Sequence, residues 1–171
     1  MIITLIAAVS EDGFISRSHG VPWDLPDDRK HFRQYTAGRC LLLGRTTYQE
    51  MNGWFTDHKP LVLTRDATFR TQPGHRRVPT VPLALFYAQQ QQAKELIVCG
   101  GAQTYAATIP LAHKLVITRV HDRLGSGIAF PAIDPQRWSE ITRTEHPADA
   151  RHAHAMTFLT YHSLPQGRRR A

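Results

Sequence analysis

Apolar residues run almost unbroken through Ile2-Ile3-Thr4-Leu5-Ile6-Ala7-Ala8-Val9, Cys40-Leu41-Leu42-Leu43 and Leu96-Ile97-Val98-Cys99, with a fourth run centred on Leu61-Val62-Leu63. Runs of this kind predict strands covered on both faces of a sheet, here residues 2–9, 40–44, 60–64 and 95–99. Residues 114–121 and 154–162 alternate more regularly, as antiparallel partners near a sheet edge do, and 138–145 forms a further strand. Helical stretches fall between them, near residues 26–36, 45–52, 83–93 and 102–109. This order predicts an α/β fold built on a mixed sheet. Residues 73–79 and 123–127 carry turn chemistry and read as loops, and residues 11–23 form a long segment with Gly13 and Gly20 as hinge candidates.

At 171 residues the chain is long enough to bury a core around an internal site, and it reads as one domain over residues 1–162 followed by a basic tail, 163–171, expected to be disordered. No apolar run approaches a membrane span, and the amino terminus lacks a basic lead or cleavage site, so it reads as a buried first strand. Cys40 and Cys99 lie inside apolar segments, which fits reduced core thiols and a cytoplasmic location, and no metal-type spacing links them. The net charge of +7 points to an anionic partner, either a phosphorylated small molecule or nucleic acid. Three of those charges, Arg168-Arg169-Arg170, lie in the tail and read as a solvated end. Monomer and homodimer both remain open.

Asp28 follows Val21-Pro22-Trp23-Asp24-Leu25-Pro26-Asp27 at the start of a predicted helix. Proline and acidic residues both suit a first helical turn, so capping alone would account for it. Spacings of three and four residues also place Asp28 on one face with Phe32 and with Tyr35 or Thr36. A carboxylate beside an aromatic ring can hold a flat, amino-bearing heterocycle. Gly44-Arg45-Thr46-Thr47 and Gly100-Gly101-Ala102-Gln103-Thr104-Tyr105 each take a strand into a helix, offering backbone donors to phosphate; capping competes with this reading at the first. The second is not the GxGxxG fingerprint, yet two such turns in one short chain suggest a dinucleotide spanning both. Thr64 and Arg65 follow another strand, and with Arg45 could clamp a further monoester phosphate, favouring NADPH over NADH.

In this order the segments resemble the dihydrofolate reductase family from about Ile2 to Tyr161. The resemblance is carried by Ile6-Ala7-Ala8, residues 22–28 with Phe32, Gly44-Arg45-Thr46-Thr47, residues 100–105, Thr118 and Phe130-Pro131. It implies a three-layer fold with a mostly parallel, eight-stranded mixed sheet, a cis peptide between Gly100 and Gly101, and NADPH meeting a reduced pterin in the cleft between Asp28 and that turn. By this similarity Asp28, Trp23 and Tyr105 are catalytic. Asp28 accepts hydrogen bonds from the pterin, Thr118 supports it, Phe32 packs on the ring, and Ile6 and Ala7 line the substrate site; this chain's own Trp54 and Phe55 add apolar, stacking surface for whatever extends from the pterin, next to His58. The cofactor falls to Ala8, Ile15, Gly44, Arg45, Thr46, Thr47, Thr64, Arg65, Cys99, Gly100, Gly101, Ala102, Gln103, Thr104 and Tyr105. The implied reaction is hydride transfer to C6 of a 7,8-dihydropterin with protonation of N5, and no metal takes part.

Departures from the family pattern bear on the substrate. His58 stands where the family has an arginine that grips the substrate's α-carboxylate, and an imidazole beside Asp57 is a poor substitute for a guanidinium. That suits a pterin whose tail lacks the carboxylate, with dihydromethanopterin as the rival to dihydrofolate. Gln103 replaces a cationic cofactor contact, and Gly125-Ser126-Gly127-Ile128 lacks the usual acidic loop residue. Ser10-Glu11-Asp12-Gly13-Phe14-Ile15 is also similar to riboflavin-pathway pyrimidine reductases, which lack the Trp23-to-Asp28 motif. A nucleic-acid-binding protein on an inactive reductase scaffold is the alternative from another class; nucleic acid is not the expected partner, because no aromatic-basic stripe accompanies the charge.

Overall fold

The computed structural model describes residues 1–165: of the tail expected over 163–171, Ser163 ends the last strand and the Leu164 N–H donates to the Arg137 carbonyl at 2.8 Å, while the rest, Arg168-Arg169-Arg170 included, lies outside the described residues apart from Pro165. In chain order the elements are β1 (Ile2–Ser10), β2 (Phe14–Ser16), α1 (Pro26–Thr36), β3 (Cys40–Gly44), α2 (Arg45–Glu50), β4 (Lys59–Leu63), β5 (Arg76–Val78), α3 (Val81–Gln90), β6 (Glu95–Gly100), α4 (Ala102–Thr108), β7 (Lys114–Val120), β8 (Ile128–Ala129), β9 (Trp138–His146) and β10 (Met156–Ser163). A single 3-10 turn, Ile109–Leu111, follows α4.

Eight strands form one sheet in the order β5-β4-β3-β6-β1-β7-β10-β9. Every pairing from β5 across to β7 is parallel, and β7, β10 and β9 pair antiparallel. The mixed, mostly parallel sheet is therefore present. Its continuous apolar runs have the expected cause: Leu5, Leu42, Leu43, Leu61, Val62, Leu96, Ile97 and Val98 have no exposed surface, because helices cover both faces. The period of two divides each strand between two cores. On one face Ile3, Leu5, Ala7 and Val9 pack with Leu42, Val98 and Ile117 beneath Ala84 and Ala88 of α3 and Tyr105 of α4. On the other, Ile6, Leu41, Leu43 and Ile97 meet Phe32 and Tyr35 of α1 and Tyr48 of α2. Each fully buried leucine contributes about 1.5–3 kcal/mol of transfer free energy.

The edges correct the sequence reading. Residues 73–79, expected as a loop, contain β5, which adds to β4 with Leu61 opposite Arg76 and Leu63 opposite Val78. An edge strand with one buried side chain, Val78, and two arginines shows no alternation to read. Helix α3 starts at Val81, ahead of the expected 83, because the Thr80 hydroxyl accepts the Leu83 N–H at 3.3 Å. The long 11–23 segment and the loop before Phe130 pair as a two-stranded ribbon, β2 with β8. Gly127 (φ +146) makes that pairing possible, since a Cβ there would lie 2.2 Å from the Ser16 carbonyl oxygen.

Cys40 and Cys99 are buried and unpaired. Burial pushes the Cys40 thiol up to about 11 and raises that of Cys99 further, so both stay protonated. Among the described residues no helix is long and apolar enough to cross a membrane.

Candidate functional site

The parallel ladder between β1 and β6 runs from Ile2 opposite Glu95 to Leu5 opposite Val98 and then stops. One residue on, the Ile6 carbonyl accepts the buried Tyr105 hydroxyl at 2.6 Å, so a side chain from α4 takes the place of the next rung. Beyond that point lies a cleft of about 1120 Å³, lined from the carboxyl ends of β1, β3, β4, β6 and β7. Ligands of open α/β sheets bind in such crevices, outside the carboxyl ends of diverging strands.

Asp28 lies in the first turn of α1 but does not cap it. The cap position is Leu25, which makes no side-chain cap bond, and the Asp27 N–H instead donates to His152 Nε2 at 3.1 Å. Asp28 is left free to line the cleft with Phe32, Thr118 and Ile6. Burial pushes its carboxyl above the ordinary carboxylate range, opposed by a hydrogen bond from Thr118 and by the charges of His31 and Arg29. Burial also holds His31 below the ordinary imidazole range, opposed by Asp28. A carboxylate in that state gains from any ligand that brings N–H donors. Burial, then the proximity of Cys99 and Asp28, keeps the Tyr105 phenol well above its usual value, so it remains a donor.

At the opposite wall the turns into α2 and α4 meet through glycines. A Cβ on Gly44 would lie 2.9 Å from Thr104 Oγ1 and 3.4 Å from the Gly101 nitrogen; one on Gly101 would lie 3.0 Å from Thr47 Oγ1. Gly100 adopts φ +127, and the Gly100-Gly101 peptide is cis, as the family pattern implies. Neither Gly44 nor Gly101, the residues at the two cap positions, has a side chain to satisfy the first-turn N–H groups. Arg45 and Arg65 both line the cleft, but Arg45 Nη1 is 3.1 Å from an Asp66 carboxylate that the sequence reading passed over. The Thr68 hydroxyl and N–H hold that carboxyl below its usual range.

Two loops fold over the mouth, and carboxylates hold them together. Trp23 Nε1 donates to Asp122 Oδ2 at 2.9 Å. Asp12 accepts from the Ser10 hydroxyl at 2.6 Å and from the Leu124 and Gly125 N–H groups at 3.1 and 2.8 Å. The Ser10 bond foremost brings the Asp12 carboxyl down to about 2. Asp12 thus reaches from one loop to the other and holds it at Leu124 and Gly125, beside the 125–128 segment that has no acidic residue of its own.

Of the expected site residues, Ile6, Ala7, Ala8, Ile15, Trp23, Asp28, Phe32, Gly44, Arg45, Thr46, Thr47, Trp54, Thr64, Arg65, residues 99–105 and Thr118 all line this cleft. Phe55 and His58 do not. They line a separate cavity of about 450 Å³ with Lys59, Gln72 and His75. The cause is local: Phe55 stacks on Tyr48 with ring centres 5.4 Å apart, and His58 sets its edge against Phe55 at 6.2 Å. Trp54 turns the other way, meeting Phe32 edge-on at 5.9 Å beneath the Arg33 guanidinium, which lies 4.8 Å from its ring centre. Met51, Leu63 and Thr80 also line the cleft; as isolated apolar or hydroxyl residues they carry no motif in the sequence.

A family model described as dihydrofolate reductase matches residues 2–163. Dihydrofolate reductase type 3 of Salmonella typhimurium is 31% identical over 160 residues, covering 94% of this chain and 97% of the relative. The dihydrofolate reductase of Neisseria gonorrhoeae is 33% identical over 160 residues, covering 93% and 96%. A solved structure of dihydrofolate reductase from Enterococcus faecalis, complexed with NADP(H) and RAB-propyl, superposes with a TM-score of 0.84 at 27% identity, covering 96% of this chain and 97% of that one. Together with the sheet order and the placement of Asp28 in the cleft, these matches establish that the chain belongs to the dihydrofolate reductase family.

Proposed function

We propose that the protein is an NADPH-dependent oxidoreductase that reduces 7,8-dihydrofolate to the tetrahydro form. The observation that carries this reading is the half-buried Asp28 carboxylate beside Thr118, across the cleft from the Gly44, Gly100 and Gly101 turns. Those glycines fit a dinucleotide: side chains there would crowd Thr47 and Thr104 and narrow the space where the two turns present their backbones. When bound, the dihydronicotinamide supplies the hydride for C6.

The chain's own residues do the rest. Asp28 accepts hydrogen bonds from the pterin amino group and ring N–H, and Thr118 fixes the same end. The negative charge, held where burial disfavours it, stabilises the cation that forms as N5 takes a proton from water. The Ala8 and Cys99 backbones, with Ile15 and Tyr105, set the distance between the reacting rings. Trp23, tied to Asp122, limits water entry from the 11–23 loop. Thr64, Arg65 and Arg45 take the phosphate that distinguishes NADPH from NADH.

With His58 turned into its own cavity, the substrate tail passes over the Phe32–Trp54 contact, and Arg33, outside the cleft lining but 4.8 Å from the Trp54 ring centre, is the cation it reaches. Arg33→Ala then raises KM for dihydrofolate about tenfold with little change in kcat, the loss of one charge-assisted hydrogen bond. Dihydromethanopterin is the second reading, favoured by the same absence of His58 from the cleft. Purified protein assayed on both pterins decides between them: faster turnover of dihydromethanopterin, with Arg33→Ala silent on dihydrofolate, would assign the methanopterin tail. Failure of NADPH to reduce either pterin would remove the reductase reading.

A further inference from the structure

Three side chains that this chemistry leaves unused converge behind the first turn of α1: Asp27, His146 at the end of β9, and His152 in the loop before β10. Their ligating atoms all lie within 4.8 Å of one another, with His146 Nε2 3.0 Å and His152 Nε2 3.8 Å from Asp27 Oδ2. In a tetrahedral zinc site with bonds of about 2.0–2.1 Å, neighbouring donors stand about 3.3 Å apart, a value that the two spacings to Asp27 bracket.

The supporting shell is also in place. His146 Nδ1 lies 2.7 Å from the Pro147 carbonyl, and His152 Nδ1 lies 2.7 Å from Asp149 Oδ1. With each Nδ1 donating outward, each Nε2 can turn a lone pair to the shared centre, the arrangement that orients metal-binding histidines. Charge balances as well, since Asp27 and Asp149 together neutralise a divalent ion. In the absence of a metal the centre is served by other donors: the Asp27 N–H on His152 Nε2, a proton between His146 and Asp27, and Arg151 Nη2, 3.1 Å from Asp27 Oδ2. Arg151 is largely exposed and can swing away.

We propose that Asp27, His146 and His152 bind one zinc-class divalent cation, with water completing the coordination, and that the ion fastens the 147–155 loop to the amino end of the helix that carries Asp28. Because the cluster spans residues 27 to 152, only the folded chain offers it, and binding therefore stabilises the fold. The test is a titration of the purified, metal-stripped protein with Co²⁺, followed by its visible ligand-field bands, and with Zn²⁺, followed by calorimetry and by thermal melting. One ion should bind, Co²⁺ should give the intense bands of a four-coordinate site, and Zn²⁺ should displace it and raise Tm. His146→Gln and Asp27→Asn, both at partly exposed positions and each checked for native circular dichroism, should each weaken binding at least tenfold. Buried His152 is left unaltered because its loss endangers the fold. Absence of the bands and of any Zn²⁺-dependent rise in Tm, or undiminished binding by either variant, would overturn the site.

Discussion

Tyr105→Phe removes one hydroxyl from the place where the sheet parts to form the cleft. The ring stays, packed against Phe130 with ring centres 4.9 Å apart, so no sizeable cavity opens. What is lost is the 2.6 Å bond to the Ile6 carbonyl, one residue past the last rung between β1 and β6. A buried acceptor left without its donor costs about 1–3 kcal/mol. For a chain of this size each kcal/mol lowers Tm by about 2–4 °C, so a fall on the order of 5 °C is expected. Because burial raises the phenol pKa well above its usual value, the hydroxyl remains a donor and the deficit should stay constant from about pH 6 to about pH 9. Thermal melts of both proteins followed by circular dichroism across that range supply the measurement. An unchanged Tm, or a deficit that disappears as pH rises, would refute the role given to this bond.

Gly100→Ala places a Cβ 3.3 Å from both Thr47 Oγ1 and its methyl at φ +127, and should destabilise the fold by about 1–3 kcal/mol while weakening NADPH binding about tenfold or more, read by melting and by fluorescence titration. Arg65→Ala should raise KM for NADPH about tenfold and leave KM for NADH unchanged, which steady-state kinetics with the two cofactors will show. The Asp12 carboxylate, down at about 2, should hold the loops together at all pH values above the ordinary carboxylate range and release them as pH falls toward 2. Asp12→Ala should accordingly speed hydrogen exchange at Leu124 and Gly125 at neutral pH without affecting the amides of β1 and β6.

Legibility of the fold followed burial. The strands with two covered faces announced themselves as apolar runs, and the expected 40–44 coincides with β3. β5 was hidden because a short edge strand of two arginines and a valine, set among prolines and a glycine, looks like the loop it adjoins. The cleft was legible where chemistry is local, in the turns into α2 and α4 and in the Trp23-to-Asp28 segment. It was illegible where contacts join residues far apart in sequence: Trp23 with Asp122, Asp12 with Gly125, and Asp27 with His146 and His152 meet through the sheet order. Asp28 itself illustrates the difference. Capping was a sufficient account from sequence, and the structure withdrew it by giving the first-turn N–H to His152 from the other end of the chain. His58 shows the converse, a position assigned by family correspondence whose ring packing directs it to another cavity.

If Asp28 anchors and activates a dihydropterin for reduction by NADPH, the effect is read from Asp28→Asn assayed beside the wild type on 7,8-dihydrofolate. The variant keeps the shape and removes the charge, so kcat/KM should fall about 10²- to 10⁴-fold. Tm of the ligand-free protein should hold or rise at neutral pH. A carboxyl whose pKa is raised by burial weakens the folded state as pH climbs above its unfolded value, and asparagine removes that penalty. Near-wild-type kcat/KM in the variant would show that the Asp28 charge takes no part in the reduction.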